Sequence, residues 1–235
     1  MNSYRKTAII VGILFLVCTA ASLLSFAFTG SILEDQDYLT KLTLNETSVT
    51  IGALIEFIWA AAGAGIAIGL YPLLKKYNGA LALGSVSFRV VENVFVLIGT
   101  LSLLSLLTLS QEFIAAGAPG ASSFQTSGTL LLALRDWSLN VIGPLAFSLG
   151  ALMYYVILYK SKLIPRWLSG WGVLGAVLLL AATVLASFTH DFGMESVQTY
   201  LSIPIGVNEL VLAVWLIAKG FNASAITALS AKTSG

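Results

Sequence analysis

Six ionisable side chains stand inside long apolar runs of this sequence: Glu56, Arg89, Glu92, Arg135, Asp136 and Glu209. A charge at the centre of a lipid-facing helix costs roughly 2.5–3.5 kcal/mol on insertion scales, so six facing lipid singly would cost on the order of 15–20 kcal/mol. They are expected to face one another or water instead. Carboxylates held there take up a proton or hold a cation, while arginine keeps its proton and supplies counter-charge or holds an anionic group. Four acids against two arginines leave a surplus of two negative charges. The cheapest remedy is for one or two acids to stay protonated or to bind a cation.

Helical spacing gathers polar company around these groups. Arg89 and Glu92 are three residues apart and share a face with Ser85 and Asn93. Asp136 is in line with Asn140 and Gly143, Glu56 with Gly52, Ala60 and Gly63, and Glu209 with Ser202, Gly206 and Ala213. Stripes of small or polar residues mark the packed side of a membrane helix. Arg135 is the exception, about 100° from Asp136 and turned towards Leu131 and Ser138. The pairs on offer are Arg89 with Glu92 or Glu56, and Arg135 with Asp136 or Glu209. Depth along the spans puts Glu92, Asp136 and Glu209 nearest the middle. Pro144 and Pro204 free the carbonyls of Asn140 and Tyr200, because each proline lacks the N–H four residues on. A freed carbonyl beside the charges can take a cation, a water or an arginine, or simply mark a kink.

The elements that position these groups follow from composition. Of 235 residues 57% are apolar and only 10% charged, with a mean hydropathy of +0.92. A soluble domain carries about 25% charged residues, so a water-soluble globule and a disordered chain are both excluded. The net charge of +1 gives no basic excess for nucleic acid. A spanning helix needs about 20 mostly apolar residues. Six runs qualify, at about 7–29, 48–74, 80–109, 126–159, 168–189 and 197–218. The first is too long for a signal-peptide core of about 7–15 residues and reads as a retained helix, with Ser25-Phe26-Ala27 leaving cleavage open. The expected fold is all-α: one polytopic domain over residues 1–220, a bundle of six transmembrane helices, then a short cytoplasmic tail over 221–235. Helices two, three, four and six surround a polar centre; one and five brace it.

Loops alternate in sign. Arg5, Lys6, Lys75, Lys76, Lys160, Lys162, Arg166, Lys219 and Lys232 fall on one side and only Lys41 on the other. The positive-inside rule then puts both termini in the cytoplasm. Trp59, Trp167 and Trp171 read as membrane anchors, Trp137 and Trp215 as packed inside, and His190 as an interfacial residue at a helix end. Gly65 and Gly69 fit a close-packing motif. Cys18 is the sole cysteine and reads as a small buried residue.

Enzymes are poorly served. One histidine cannot build a His-Glu-x-x-His zinc site, and there is no Gly-x-Ser-x-Gly elbow and no phosphate-binding Walker loop. No metal site and no cofactor is expected.

The stretch Leu158-Tyr159-Lys160-Ser161-Lys162-Leu163-Ile164-Pro165-Arg166-Trp167-Leu168-Ser169, with the Arg89-Val90-Val91-Glu92 step, resembles a bacterial family of six-helix membrane proteins, domain-of-unknown-function family 4386. That resemblance implies a multi-pass protein of the inner membrane and carries no catalytic residues over.

The leading expectation is a small transporter or solute- or ion-binding membrane protein. Its partners are the lipid bilayer and a small solute, proton or cation, held at Glu56, Arg89, Glu92, Asn93, Arg135, Asp136, Asn140 and Glu209. The rival is a non-catalytic scaffold or accessory subunit whose ion pairs only lock helix packing. An enzyme acting on lipid ranks last, for want of a nucleophile or metal set.

Overall fold

A computed structural model of the chain describes residues 3–118, 123–193 and 195–232. The first two residues of the basic flank and the last three of the expected tail lie outside the described residues. Every regular element among the described residues is helical. Six spans are long and apolar enough to cross a membrane. They are α1 (Ser3–Leu33), α3 (Glu46–Leu74), α4 (Gly79–Ala115), a composite fourth span, α7 (Arg166–Thr189) and α8 (Val197–Ala218). The fourth consists of α5 (Ser123–Asp136), a π-helical stretch over Trp137–Ile142, and α6 (Gly143–Ser161). Two shorter helices lie outside this set: α2 (Tyr38–Leu44) in the acidic loop and α9 (Ala223–Lys232) after the last span.

Polar residues start and stop the helices. The Asn78 side chain accepts from the Leu81 N–H at 3.0 Å and the Ser196 side chain from the Thr199 N–H at 3.2 Å, capping α4 and α8. Lys162 and His190 end α6 and α7 in the left-handed region, at φ of 58° and 55°. Arg5 closes the end of α8 from a distance. Its guanidinium donates to the Leu216 carbonyl at 3.0 Å and the Ile217 carbonyl at 2.6 Å, two acceptors the helix leaves unsatisfied.

The spans form a closed ring. Each packs on the next in chain order, and α8 returns to α1. Close approach needs small residues where backbones meet. A Cβ on Gly12 of α1 would stand 2.8 Å from the Ala213 carbonyl oxygen of α8, at the seam that closes the ring. Gly65 and Gly69 face Leu14 and Val11, so the close-packing motif serves the α1–α3 seam within the chain.

Two apolar cores fill the ring at different heights. The larger, with Phe15, Ile66, Tyr155 and Leu216, lies towards the basic loops, where Ala225 and Leu229 of α9 join it. The smaller, with Val49, Leu103 and Leu106, lies towards the acidic loops and is sealed by Leu42 of α2. Large apolar side chains such as Leu54, Ile68 and Leu101 are exposed around the outside, the surface a bilayer covers.

Three tryptophans depart from expectation. Trp59 and Trp171 are half-buried against the larger core instead of anchoring at the surface. Trp137 is exposed at the start of the π-helical stretch and packs edge-on against His190 and Phe192.

Candidate functional site

The buried charges divide into two groups, one above the other between the two cores. The first joins Glu56 of α3 to Arg135 of α5. One arginine nitrogen donates to Glu56 Oε2 at 3.2 Å and the other pairs with Oε1. Ser25 of α1 donates to Oε1 and Thr100 of α4 to Oε2, both at 2.7 Å. Arg135 also donates to the Gly99 carbonyl at 2.8 Å. Each carboxylate oxygen thus accepts twice, and both side chains are buried. Four elements converge on one sealed ion pair.

The second group lies about 12 Å further along α4, the rise over the eight residues from Thr100 back to Glu92. Arg89 Nη1 stands 3.0 Å from Glu92 Oε2 and donates to Oε1 at 3.3 Å. The guanidinium carbon lies 4.8 Å from the centre of the Phe147 ring, a cation–π contact. Glu209 of α8 accepts from the Tyr154 hydroxyl at 3.2 Å. No cation among the described residues forms an ion pair with Glu209. This group therefore contains one guanidinium and two carboxyl groups. It is also incompletely bonded: Arg89 Nε and Glu92 Oε2 have no hydrogen-bond partner although both are buried.

Beside this second group lies a cavity of about 380 Å³. All six spans contribute to its wall: Ser22 of α1, Trp59 of α3, Glu92 of α4, Asn140 of the π-helical stretch, Leu179 of α7 and Glu209 of α8. Arg89 stands about 15 Å along α4 from Gly79, and Glu209 a similar rise from Ala218, so the charged wall is near mid-span. The lining continues to Gln198 and Thr199 in the first turn of α8, at the end away from the basic loops.

A broken helix shapes one side of this cavity. Pro144 withholds the N–H that Asn140 would meet on a regular helix. The Asn140 carbonyl accepts instead from Gln198 Nε2 at 2.6 Å, and the same nitrogen donates to Thr183 Oγ1 at 3.0 Å. The freed carbonyl thus ties the fourth span to α8 and, through Thr183, to α7. The Gly143 N–H reaches the Ser138 carbonyl, five residues back, which is the wide turn of a π-helix.

The eight expected residues separate accordingly. Arg89, Glu92, Asn140 and Glu209 line the cavity. Glu56 and Arg135 form the sealed pair, so Arg135 joins neither Asp136 nor Glu209. Asn93 is buried between helices, its Nδ2 donating to the Arg89 carbonyl at 2.6 Å and its side chain pressed against Gly63 of α3. Asp136 is exposed and belongs to neither group. The reversal of Arg135 and Asp136 has a local cause. On a regular helix Asp136 shares a face with Asn140 and Gly143. The wide turn between them shifts the phase, so Asn140 and Gly143 reach the cavity while Asp136 turns outward.

Spacing did not reveal Ser25, Thr100, Tyr154, Phe147 or Gln198. Of these only Gln198 left a trace, since the carbonyl freed by Pro144 requires a donor from elsewhere. Among the described residues no group of three or more His, Cys, Asp or Glu side chains is arranged to hold a metal ion.

Residues 10–220 match a family model described as Domain of unknown function (DUF4386). No curated protein and no solved structure matches the chain.

Proposed function

The chain belongs to the DUF4386 family, and from that premise we propose that it is a solute- or ion-binding membrane protein, a small transporter, working through the central cavity. The observation that carries this reading is the cavity of about 380 Å³ walled by all six spans and by Arg89, Glu92 and Glu209. A volume of that size, concave and mostly apolar with a few convergent polar groups, is the form small-molecule sites take.

The chemistry follows from the charge count. Arg89 keeps its proton, and Glu92 is its nearest counter-charge. Glu209 is then in excess. Glu209 is half-buried on the cavity wall, where a carboxylate without a cation is costly, so the site is neutral only when Glu209 takes up a proton or when a cation lies beside it. Exchange of one for the other couples solute to proton. Arg89 Nε, without a hydrogen-bond partner, offers a donor to the same occupant, and Glu92 Oε2, ion-paired to Arg89 but not hydrogen-bonded, offers an acceptor. The π-helical turn, Pro144 and Pro204 interrupt regular hydrogen bonding in the fourth and sixth spans. Such breaks are where helices yield when one face of a transporter opens and the other shuts.

The same reading places the protein in the bacterial cytoplasmic membrane with both termini cytoplasmic. Its support is the loop asymmetry, nine cations on one side against Lys41 on the other.

The scaffold reading has one observation in its favour, the Glu56–Arg135 pair. Sealed by Ser25, Thr100 and the Gly99 carbonyl, that pair has the form of a lock between helices. It leaves the cavity unexplained.

The test is proton flux into proteoliposomes loaded with a pH-sensitive dye, driven by a potassium diffusion potential. The intact protein should acidify the vesicles faster than protein-free controls. Glu92→Gln and Glu209→Gln should fall to the control rate, and Asp136→Asn, exposed outside both groups, should keep the full rate. Undiminished flux in both glutamine variants, or no flux above controls from the intact protein, removes the reading.

A further inference from the structure

At the basic end of the ring, away from the central cavity, a second recess of about 480 Å³ lies between the α6–α7 turn and the end of α8. Lys162, Arg166 and Lys219 line it, together with Trp215. Among the described residues none of these three cations forms an ion pair with an acid. Continuous with it, sharing Trp215 and Lys219, runs a groove of about 390 Å³ along α8 whose other walls are Leu210, Val211, Val214 and Ala218. A triply cationic recess thus opens into an apolar channel on the outer surface of a membrane helix.

We propose that this composite site binds one anionic phospholipid, the phosphate of its headgroup among Lys162, Arg166 and Lys219 and one acyl chain along the α8 groove. Charge complementarity selects the headgroup: three cations at the membrane edge, none paired with an acid among the described residues, attract a phosphodiester. The groove selects a lipid over a soluble phosphate, because only an attached chain makes use of an apolar wall.

The local structure is built to hold this geometry. Lys162 adopts the left-handed region, at φ 58°, and so turns the chain sharply at the rim. The Asn222 N–H donates to the Leu163 carbonyl at 2.9 Å, tying the two walls of the recess together. The carbonyl end of α8 would repel a phosphate, but Arg5 occupies the Leu216 and Ile217 carbonyls. Trp167 meets Trp215 edge-on at 6.5 Å, an aromatic pair of the kind that settles at headgroup level.

The experiment uses the full chain in detergent micelles, titrated with phosphatidylglycerol or phosphatidylcholine carrying brominated acyl chains, which quench nearby tryptophan. Phosphatidylglycerol should quench at several-fold lower concentration than phosphatidylcholine. The Lys162→Gln/Arg166→Gln/Lys219→Gln variant should bring the two lipids to the same midpoint, and Trp215→Phe should remove most of the phosphatidylglycerol-specific quenching. Lys75→Gln, on the same side but outside the recess, should change neither. Should the triple variant fail to fold, Lys219→Gln alone, common to both parts of the site, should still narrow the preference. Equal midpoints in the unaltered chain, or a preference that survives Lys219→Gln and the triple variant, overturns the proposal. Inorganic phosphate serves as a third arm: competing away the brominated phosphatidylglycerol at millimolar concentration, it would assign the three cations to a soluble anion and overturn the lipid as ligand.

Discussion

Alanine in place of either Glu56 or Arg135 should lower stability by about 3–5 kcal/mol, because the partner left behind is a buried charge without compensation. The expectation is this large because water has no route to help. Glu56 is 1% exposed, and all four acceptor positions of its carboxylate are filled by Arg135, Ser25 and Thr100. Without Arg135, two hydroxyls cannot neutralise the carboxylate. Without Glu56, the guanidinium keeps only the Gly99 carbonyl. The double variant Glu56→Leu/Arg135→Leu should recover most of the loss, since apolar residues of similar volume often replace a buried pair at no net cost. Thr100 falls back on the Val96 carbonyl, 3.0 Å from its hydroxyl, while the Ser25 hydroxyl and the Gly99 carbonyl lose their partners, which keeps the recovery short of complete. Thermal unfolding in detergent, followed by tryptophan fluorescence, reads all three variants. The double variant should also retain proton flux, because the pair lies outside the cavity.

Arg89 should behave alike in stability and differently in activity. It is 2% exposed, and its loss leaves the buried Glu92 and the half-buried Glu209 on the same cavity wall with no cation. Arg89→Gln should again cost about 3–5 kcal/mol, by the same reasoning about an uncompensated buried charge. Neutralising the partner as well, in Arg89→Gln/Glu92→Gln, should restore the unfolding midpoint. Flux should not return with it, because Glu209 is still in excess but the Arg89 donor and the Glu92 carboxylate beside the cavity have gone. Recovery of fold without activity at this pair, against recovery of both at Glu56–Arg135, separates a working site from a lock. The two pairs must be compared as cycles, since contacting residues are not additive.

The divergence between these pairs was hidden in the sequence. All six charges sit in apolar runs, and nothing there separates a lock from a working site; what distinguishes the two pairs is which hydroxyls cross from neighbouring helices. Ser25 and Thr100 are ordinary residues in membrane spans, and nothing in their spacing to Glu56 marks them. By contrast the spans were plain, because 20 apolar residues in series admit little else. The second, 48–74 by sequence, is Glu46–Leu74 in the structure, and the sixth, 197–218, is Val197–Ala218. The third and fourth runs are each longer than one crossing requires. The fourth harbours the π-helical turn, whose i→i+5 bonding leaves no compositional mark. Wheel geometry extrapolated across Trp137–Ile142 therefore put Asp136 inside and Arg135 aside, the reverse of the structure. The short α2 was missed for a related reason: only Leu39 and Leu42 of its seven residues are buried, too few to set a period. Arg89 with Glu92, three residues apart on one helix, was the one pair legible from spacing alone, and it stands as expected.

The most direct measurement of the central claim is thiol accessibility. Cys18, the only native cysteine, is replaced by alanine, and single cysteines are introduced at Ser202, which lines the cavity, and at Ile203, its neighbour on the outer surface of α8. A charged, membrane-impermeant methanethiosulfonate is added to proteoliposomes. A water-filled cavity reaching Glu209 predicts rapid modification at position 202 and almost none at 203. Equal, negligible reaction at both positions would mean that the space between the six spans is closed to water, and the account would fail.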